Sequence, residues 1–177
     1  MRTELSLYID QRYWVYGVSE EDLEHTIELA RGFVNASYEL VRQEYARVRT
    51  SNPEQADDIM DDIVAHAVTD SDYVWQACLW RLQGLLEAII VCTFLGRPDS
   101  TGLVGLKAKL QAMRDSGFQI GDADSNELLN WARVRNALSH APPERYRPGP
   151  LKEDDVVEYH QLALRLCRDW RGQLGKK

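Results

Sequence analysis

The sequence lacks the features that export a protein or anchor it in a membrane. It has three cysteines in 177 residues, an odd number that makes a disulfide framework improbable. The N-terminal stretch MRTELSLYIDQRYW mixes acidic and basic side chains, unlike the basic and then apolar segments of a secretory signal. The longest apolar run, residues 88–95, is far shorter than the roughly 20 residues that cross a bilayer. We therefore expect a cytoplasmic protein with no membrane span.

Positive charge is also scarce. Lysine and arginine number 21 against 28 aspartates and glutamates, which gives a formal net charge of -7. The phosphates of a nucleic acid repel a chain of this charge as a whole. Any contact with RNA must therefore be local.

What the chain has is enough apolar material, 44% of its residues, for one sizeable core. We expect a single domain over residues 1–177, in which residues 1–17 form an N-terminal arm. Trp14 and its neighbours Tyr13 and Tyr16 stand in that arm, where they could cover a dimer partner.

Long stretches with helical periodicity, separated by short glycine and proline clusters, predict an all-α, up-and-down bundle of about five to six helices. Ser19 caps the first helix, which ends near Ser51. The next three predicted helices cover residues 54–68, residues 73–95 after the cap Asp70-Ser71-Asp72, and a stretch from Ser100 or Thr101 to the stop at Ser116-Gly117. A capping box, Asp124 to Glu127, opens a helix that ends at His140, and a last helix spans residues 153–170.

Tryptophans and cysteines at helical spacing are predicted to lie in the core. For the tryptophans we favour packing over stacking on bases, which is the alternative use of an aromatic ring. The thiols are expected to be free and buried. The residues concerned are Trp75, Trp80, Trp131, Trp170, Cys78, Cys92 and Cys167.

The helix that ends at His140 carries the residues that point to chemistry. Asn136 and His140 are four residues apart and share one helical face, and Arg135 lies a further 100° or so round. Cleavage of RNA by its own 2′-hydroxyl needs a proton acceptor, a proton donor and a stabiliser of phosphate charge. Histidine exchanges protons near neutral pH, and the planar fork of arginine binds phosphate oxygens in pairs. These residues are therefore the candidate catalytic set.

The surroundings of His140 add to this interpretation. A histidine at the C-terminal end of a helix meets the negative end of the helix dipole, which favours its protonated form. Arg133, Arg145 and Arg147 lie nearby in the sequence and predict a local basic patch that binds RNA. No metal or other cofactor enters this chemistry.

The run Arg135-Asn136-Ala137-Leu138-Ser139-His140 resembles the motif of the ribonuclease members of the HEPN domain family. Those members are small all-α bundles with an arginine, a polar residue, three to five further residues and a histidine. The resemblance covers residues 70–171 in helix order and is weaker before them. It implies a homodimer that brings two motifs into one cleft and cleaves RNA without metal, leaving a 2′,3′-cyclic phosphate. It also implies a toxin-antitoxin or anti-phage setting.

One position departs from the family pattern. Members that a partner nucleotidyltransferase modifies carry a tyrosine two residues after the histidine, where this chain has Pro142. We therefore do not extend that partnership to this chain. The expected partners are RNA, either tRNA or mRNA, a second copy of the chain, and an antitoxin or regulatory protein.

Glu87, Arg135 and His140 also have structural interpretations, which the sequence leaves open. Glu87 interrupts the most apolar helix and is the candidate support for Arg135, although an ordinary ion pair with Arg81 is the alternative. His140 and Arg135 could also serve as a helix cap and an ion-pair partner. The chain would then be a non-catalytic HEPN module that binds a protein or nucleotide, or an antitoxin-like regulatory subunit.

Overall fold

The structure is a computed structural model that describes residues 18–97, 102–140 and 149–174, with the backbone alone at His140. These residues form five α-helices and no strand, which confirms the predicted all-α bundle. We label the helices α1 to α5, and a π-helical turn, Ile90–Phe94, extends α2. Their bounds are α1 Glu20–Ser51, α2 Ala56–Ile89, α3 Gly105–Asp115, α4 Asp122–His140 and α5 Glu153–Leu174.

Helix α1 begins and ends where the sequence predicts. The backbone N–H of Ser19 donates to the Asp22 carboxylate at 2.8 Å, and three acidic residues in the first turn suit the positive end of the helix dipole. The helix ends at Ser51, just before Asn52-Pro53, because a residue that precedes proline disfavours helical geometry. Its buried side chains share one face of the helix and include Leu23, Ile27, Ala30 and Val34.

Helix α2 is one continuous element where the sequence predicts two. Asp70, Ser71 and Asp72 lie inside it and cap nothing, so the predicted break between residues 68 and 73 is wrong. The Asp72 carboxylate instead accepts hydrogen bonds from Gln76 Nε2 at 2.8 Å and from the backbone N–H of Leu151 at 2.7 Å. With no glycine or proline in this stretch, the packing of α2 against α1 outweighs the modest helix propensity of these residues.

The continuous α2 also changes what can be said about membranes. Residues Ala56–Phe94 form a helical stretch that is long and apolar enough to cross a bilayer by length and composition alone. More than half of its most apolar window, 56%, is buried inside the bundle. This is how the central helix of a bundle behaves, since it is apolar on most of its faces.

The π-helical turn carries the end of α2 into the core. The N–H of Leu95 donates to the carbonyl of Ile90 at 3.0 Å, a bond between residues five apart. Phe94 then packs edge-on against Phe118 and Trp170, with ring centroids 5.8 and 5.6 Å apart. The turn therefore joins α2 to α5 and to the segment after α3.

The starts of α3 and α4 differ from the prediction. Helix α3 begins at Gly105, and the backbone just before it is not helical, because Gly102 has a φ of +79° and Gly105 itself has a φ of +76°. The predicted start itself lies outside the described residues. Helix α4 begins at Asp122, two residues before the predicted cap, and Asp124 pairs with Arg165 at 2.7 Å instead.

The stop after α3 is confirmed. Gly117 has a φ of +84°, and its N–H and that of Phe118 donate to the carbonyls of Arg114 and Met113. This is the double hydrogen-bond pattern that closes a helix at a left-handed glycine. Phe118 is placed in the core as a result.

Two of the residues predicted for the core lie outside it. Trp75 and Trp170 are buried and Trp131 packs against the core, but Trp80 is 50% exposed. Cys92 is exposed, whereas Cys78 and Cys167 are buried as predicted. Trp80 belongs to an exposed row on α2 that we call the outer stripe, formed by Tyr73, Ala77, Trp80 and Gly84.

Candidate functional site

Helix α4 presents the predicted motif at its C-terminal end. One face of the helix packs against the core through Leu128, Trp131, Val134 and Leu138. Arg135 lies at the edge of this face, because it is seven residues after Leu128, whereas Asn136 points away from it. The described part of α4 reaches His140, and its backbone places His140 one turn beyond the exposed Asn136. The predicted helix end after His140 falls on residues 141–148, which lie outside the described residues. The structure describes the backbone of His140 alone.

The Arg135 guanidinium is held from two sides. Its Nη1 lies 3.6 Å from Glu87 Oε1 on α2, and its Nε and Nη2 donate to Asn136 Oδ1 at 3.3 and 3.0 Å. The Arg135 side chain keeps 29% of its surface exposed. All three nitrogens of the guanidinium are therefore contacted, and the side chain is still partly open to solvent.

Glu87 contacts Arg135, which is the contact that one of the two sequence-based hypotheses requires. Arg81, the alternative partner, is six residues earlier on α2, which places it about 120° away around the helix. Glu87 instead pairs with Arg135 and with Lys109. The proposed Glu87–Arg81 ion pair is therefore wrong.

Lys109 is the site residue that the sequence analysis missed. Its Nζ lies 2.5 Å from Glu87 Oε2, and only 9% of its side chain is exposed, against 16% for Glu87. A signal for it exists in the sequence. Lys109 falls within the apolar stripe of α3, between Leu106 and Leu110, where a lysine is buried only if a partner receives its charge.

Tyr159 on α5 completes this group. Its side chain is buried, and its hydroxyl has no hydrogen-bond partner among the described residues. Burial raises the pKa of Tyr159, and the nearby negative charge of Glu87 raises it further, while the positive charge of Arg135 acts in the opposite direction. Tyr159 is therefore neutral. We call Glu87, Lys109, Arg135 and Tyr159 the Glu87 cluster.

The Glu87 cluster carries an excess of positive charge. Two cations share one carboxylate, and the tyrosine adds no charge, so one positive charge is not balanced within the cluster. Arg135 is the more exposed of the two cations. A cluster of this kind gives an acidic protein a local site for an anion, since partial burial strengthens the interaction between charges.

Of the predicted basic patch, only Arg133 is described together with its side chain. It is exposed, and its Nη1 donates to Asn130 Oδ1 at 3.1 Å. No acidic side chain in the described part of the chain forms an ion pair with it. Arg145 and Arg147, like Pro142, lie outside the described residues, so the patch stays a prediction.

A polar contact also positions the body of α4. Gln83 is buried on α2, one turn before Glu87, and its Nε2 donates to the carbonyl of Trp131 at 2.9 Å. The Trp131 ring meets the Tyr159 ring edge-on, with centroids 5.7 Å apart. Helices α2, α4 and α5 are thus fixed to one another directly beside Arg135.

Comparison of the chain with protein-family models, with curated proteins and with solved structures finds no match.

Proposed function

We propose that this protein is a metal-independent endoribonuclease of HEPN type. The observation that carries the proposal is the unbalanced positive charge of the Glu87 cluster, exposed at Arg135 on the helix that ends in His140. Arg135 and Asn136 hold the phosphate at the cleavage site, and His140 transfers protons. Arg133, Arg145 and Arg147 bind neighbouring phosphates.

The reaction is attack of a ribose 2′-oxygen on its own 3′-phosphate. The bond from the 2′-oxygen to phosphorus forms, the bond from phosphorus to the 5′-oxygen breaks, and the products are a 2′,3′-cyclic phosphate and a 5′-hydroxyl. One proton leaves the 2′-oxygen and another reaches the 5′-oxygen, two tasks that suit histidine. Each chain offers one histidine at this position, so we propose a homodimer in which two motifs face one cleft.

The support for a phosphate site lies in how Arg135 is held. Its contact with Asn136 fixes the plane of the guanidinium, and its 3.6 Å contact with Glu87 is longer than the 2.5 Å contact that Glu87 makes with Lys109. Because Lys109 is the closer partner of Glu87, it keeps the charge of that carboxylate neutralised when Arg135 binds an anion. A preorganised cation of this kind stabilises the charge that develops on phosphate in the transition state.

The test is incubation of the purified protein with tRNA and with an mRNA in the presence of EDTA, followed by mapping of the cut ends. We expect 2′,3′-cyclic phosphate ends. His140→Ala should abolish cleavage without unfolding the protein, because loss of a helix-end side-chain contact costs only about 1 kcal/mol. His66→Ala, which changes an exposed histidine on α2, is the matched control and should cleave normally.

Arg135→Gln should reduce turnover at saturating RNA more than it reduces binding, whereas Arg133→Gln should do the reverse. A His140→Ala protein as active as wild type would refute the catalytic proposal. If RNA or a nucleotide binds but no variant or wild-type protein cleaves it, the chain is instead a non-catalytic module. The biological setting that we propose, a toxin or anti-phage effector restrained by an antitoxin, would be tested by growth on expression.

A further inference from the structure

The outer stripe of α2 exposes large aromatic side chains beside the candidate site. Trp80 is 50% exposed and Tyr73 is 63% exposed, although the same helix buries Trp75. Within the described residues no aromatic ring stacks on Trp80. A single exposed apolar side chain is common on protein surfaces, but the Trp80 indole lies on the same side of α2 as Glu87, which contacts Arg135.

Trp80 and Glu87 are seven residues apart and therefore lie on the same side of α2, separated by about 10 Å along its axis. Glu87 contacts Arg135. Gly84 lies between them, and a Cβ placed on Gly84 would meet no atom within 4 Å. The surface between the indole and the Glu87 cluster is therefore open.

The charge around this surface suits a nucleic acid. Arg81 directly follows Trp80 but lies about 100° further round α2, on the side of the groove with α1, where it is exposed and pairs with no acidic side chain in the described ranges. The unbalanced positive charge of the Glu87 cluster lies at the other end of the surface. Proteins bind single strands by this combination, in which aromatic rings stack on bases and nearby cations follow the backbone.

We propose that Trp80 is a stacking platform for an unpaired base of single-stranded RNA whose backbone passes Arg135. The proposal rests on the proposed function for the identity of the strand. The separation of about 10 Å corresponds to roughly three nucleotides at the 3.4 Å spacing of a stacked strand. The base on Trp80 is thus near to the phosphate at Arg135 but is not part of the reacting nucleotide.

A contact between two copies of the chain is the competing use of this surface. Tyr73 and Trp80 together expose roughly 170–280 Å², taking about 150–250 Å² for a whole aromatic side chain. A stable protein interface buries about 800 Å² on each partner. The positive charge of Arg135 at one end of this surface and the open surface at Gly84 favour the single strand over the second copy.

The experiment measures binding of two fluorescent 2′-O-methyl RNA oligonucleotides, which the protein cannot cleave. One has all its bases, and the other lacks a single central base but has the same phosphates. Wild-type protein should bind the complete strand about 5- to 150-fold more tightly, the range for one base stacked on an aromatic ring. Trp80→Leu should remove this difference by weakening binding of the complete strand alone, and Trp80→Tyr should retain most of it.

Leu40→Ala is the control, because Leu40 is an exposed apolar side chain on α1 that does not line the groove beside the outer stripe. It should leave both affinities unchanged. The platform is wrong if Trp80→Leu weakens both strands equally, or if sedimentation shows that it converts a wild-type dimer to monomers. Cleavage that persists with no base-dependent binding would overturn the platform alone, whereas absence of both binding and cleavage would overturn the proposed function as well.

Discussion

Replacing Lys109 by methionine tests whether the Glu87 cluster is a coupled unit. Lys109→Met keeps the length and apolar stem of the side chain but removes its charge. Glu87 would then keep only the 3.6 Å contact with Arg135. We expect a clear loss of stability, because a buried carboxylate without a close cation is poorly solvated.

The magnitude follows from the burial of the pair. Removal of one partner from a buried ion pair costs about 3–5 kcal/mol. Glu87 keeps a second cation and some exposure, so we expect the lower end, about 3 kcal/mol. With a urea dependence of about 2 kcal/mol per molar, the unfolding midpoint should fall by about 1.5 M.

The double variant Lys109→Met with Glu87→Met should be more stable than Lys109→Met alone. It removes the buried carboxylate as well, and replacement of a buried ion pair by apolar groups of similar size is often neutral. Arg135 would still have Asn136 and water. The assay is urea unfolding followed by circular dichroism.

The matched control is Arg31→Met, which breaks the Arg31–Glu153 pair. That pair has a contact of 2.6 Å, but both side chains are nearly half exposed, so its loss should cost less than about 1 kcal/mol. If Lys109→Met costs no more than this control, or if Glu87→Met adds to the damage instead of relieving it, the cluster is not coupled.

Two further predictions concern titratable side chains. Cys92 is exposed, whereas burial raises the pKa of Cys78 to about 11 and that of Cys167 to about 12. Ellman's reagent should therefore modify one thiol in the native protein and three after unfolding. Rapid labelling of all three thiols in the native protein would contradict the structure. Burial lowers the pKa of His160, whose Nε2 has no partner among the described atoms, so the unfolded chain binds the extra proton first. The contribution of His160 to the free energy of unfolding should therefore be fully present above about pH 6.5 and should be lost as the pH falls below it. His160→Gln should flatten this pH dependence in unfolding curves recorded from pH 7.5 to 5. An unchanged pH dependence would contradict the assignment.

Helix ends with a local cause could be predicted from the sequence. Ser19, Gly117 and Pro53 act within a few residues of the helix end that each of them sets. Asp70 and Asp72 resemble such signals but lie within α2. The partner that uses the Asp72 carboxylate, the Leu151 N–H, is 79 residues away, and no local pattern contains that information.

The candidate site also contains residues that the sequence alone brings together and residues that only packing brings together. Arg135, Asn136 and His140 are close in the sequence, and one helix is sufficient to bring them together. Lys109 reaches Glu87 only because α3 packs beside the end of α2. Trp80 was misplaced for a related reason, since periodicity tells which residues share a face but not which face a neighbouring helix will cover.

The π-helical turn at the end of α2 bears on how the chain could change in length. A turn closed between residues five apart contains one residue more than an α-helical turn, and Cys92 within it is exposed. Loss of this one residue would restore ordinary helical geometry, while Leu86 and Phe94 on either side would still be available to the core. Relatives of this chain should therefore tolerate the loss of one residue here. In a sequence alignment this loss would be a one-residue gap inside a helix, which is usually treated as an alignment error.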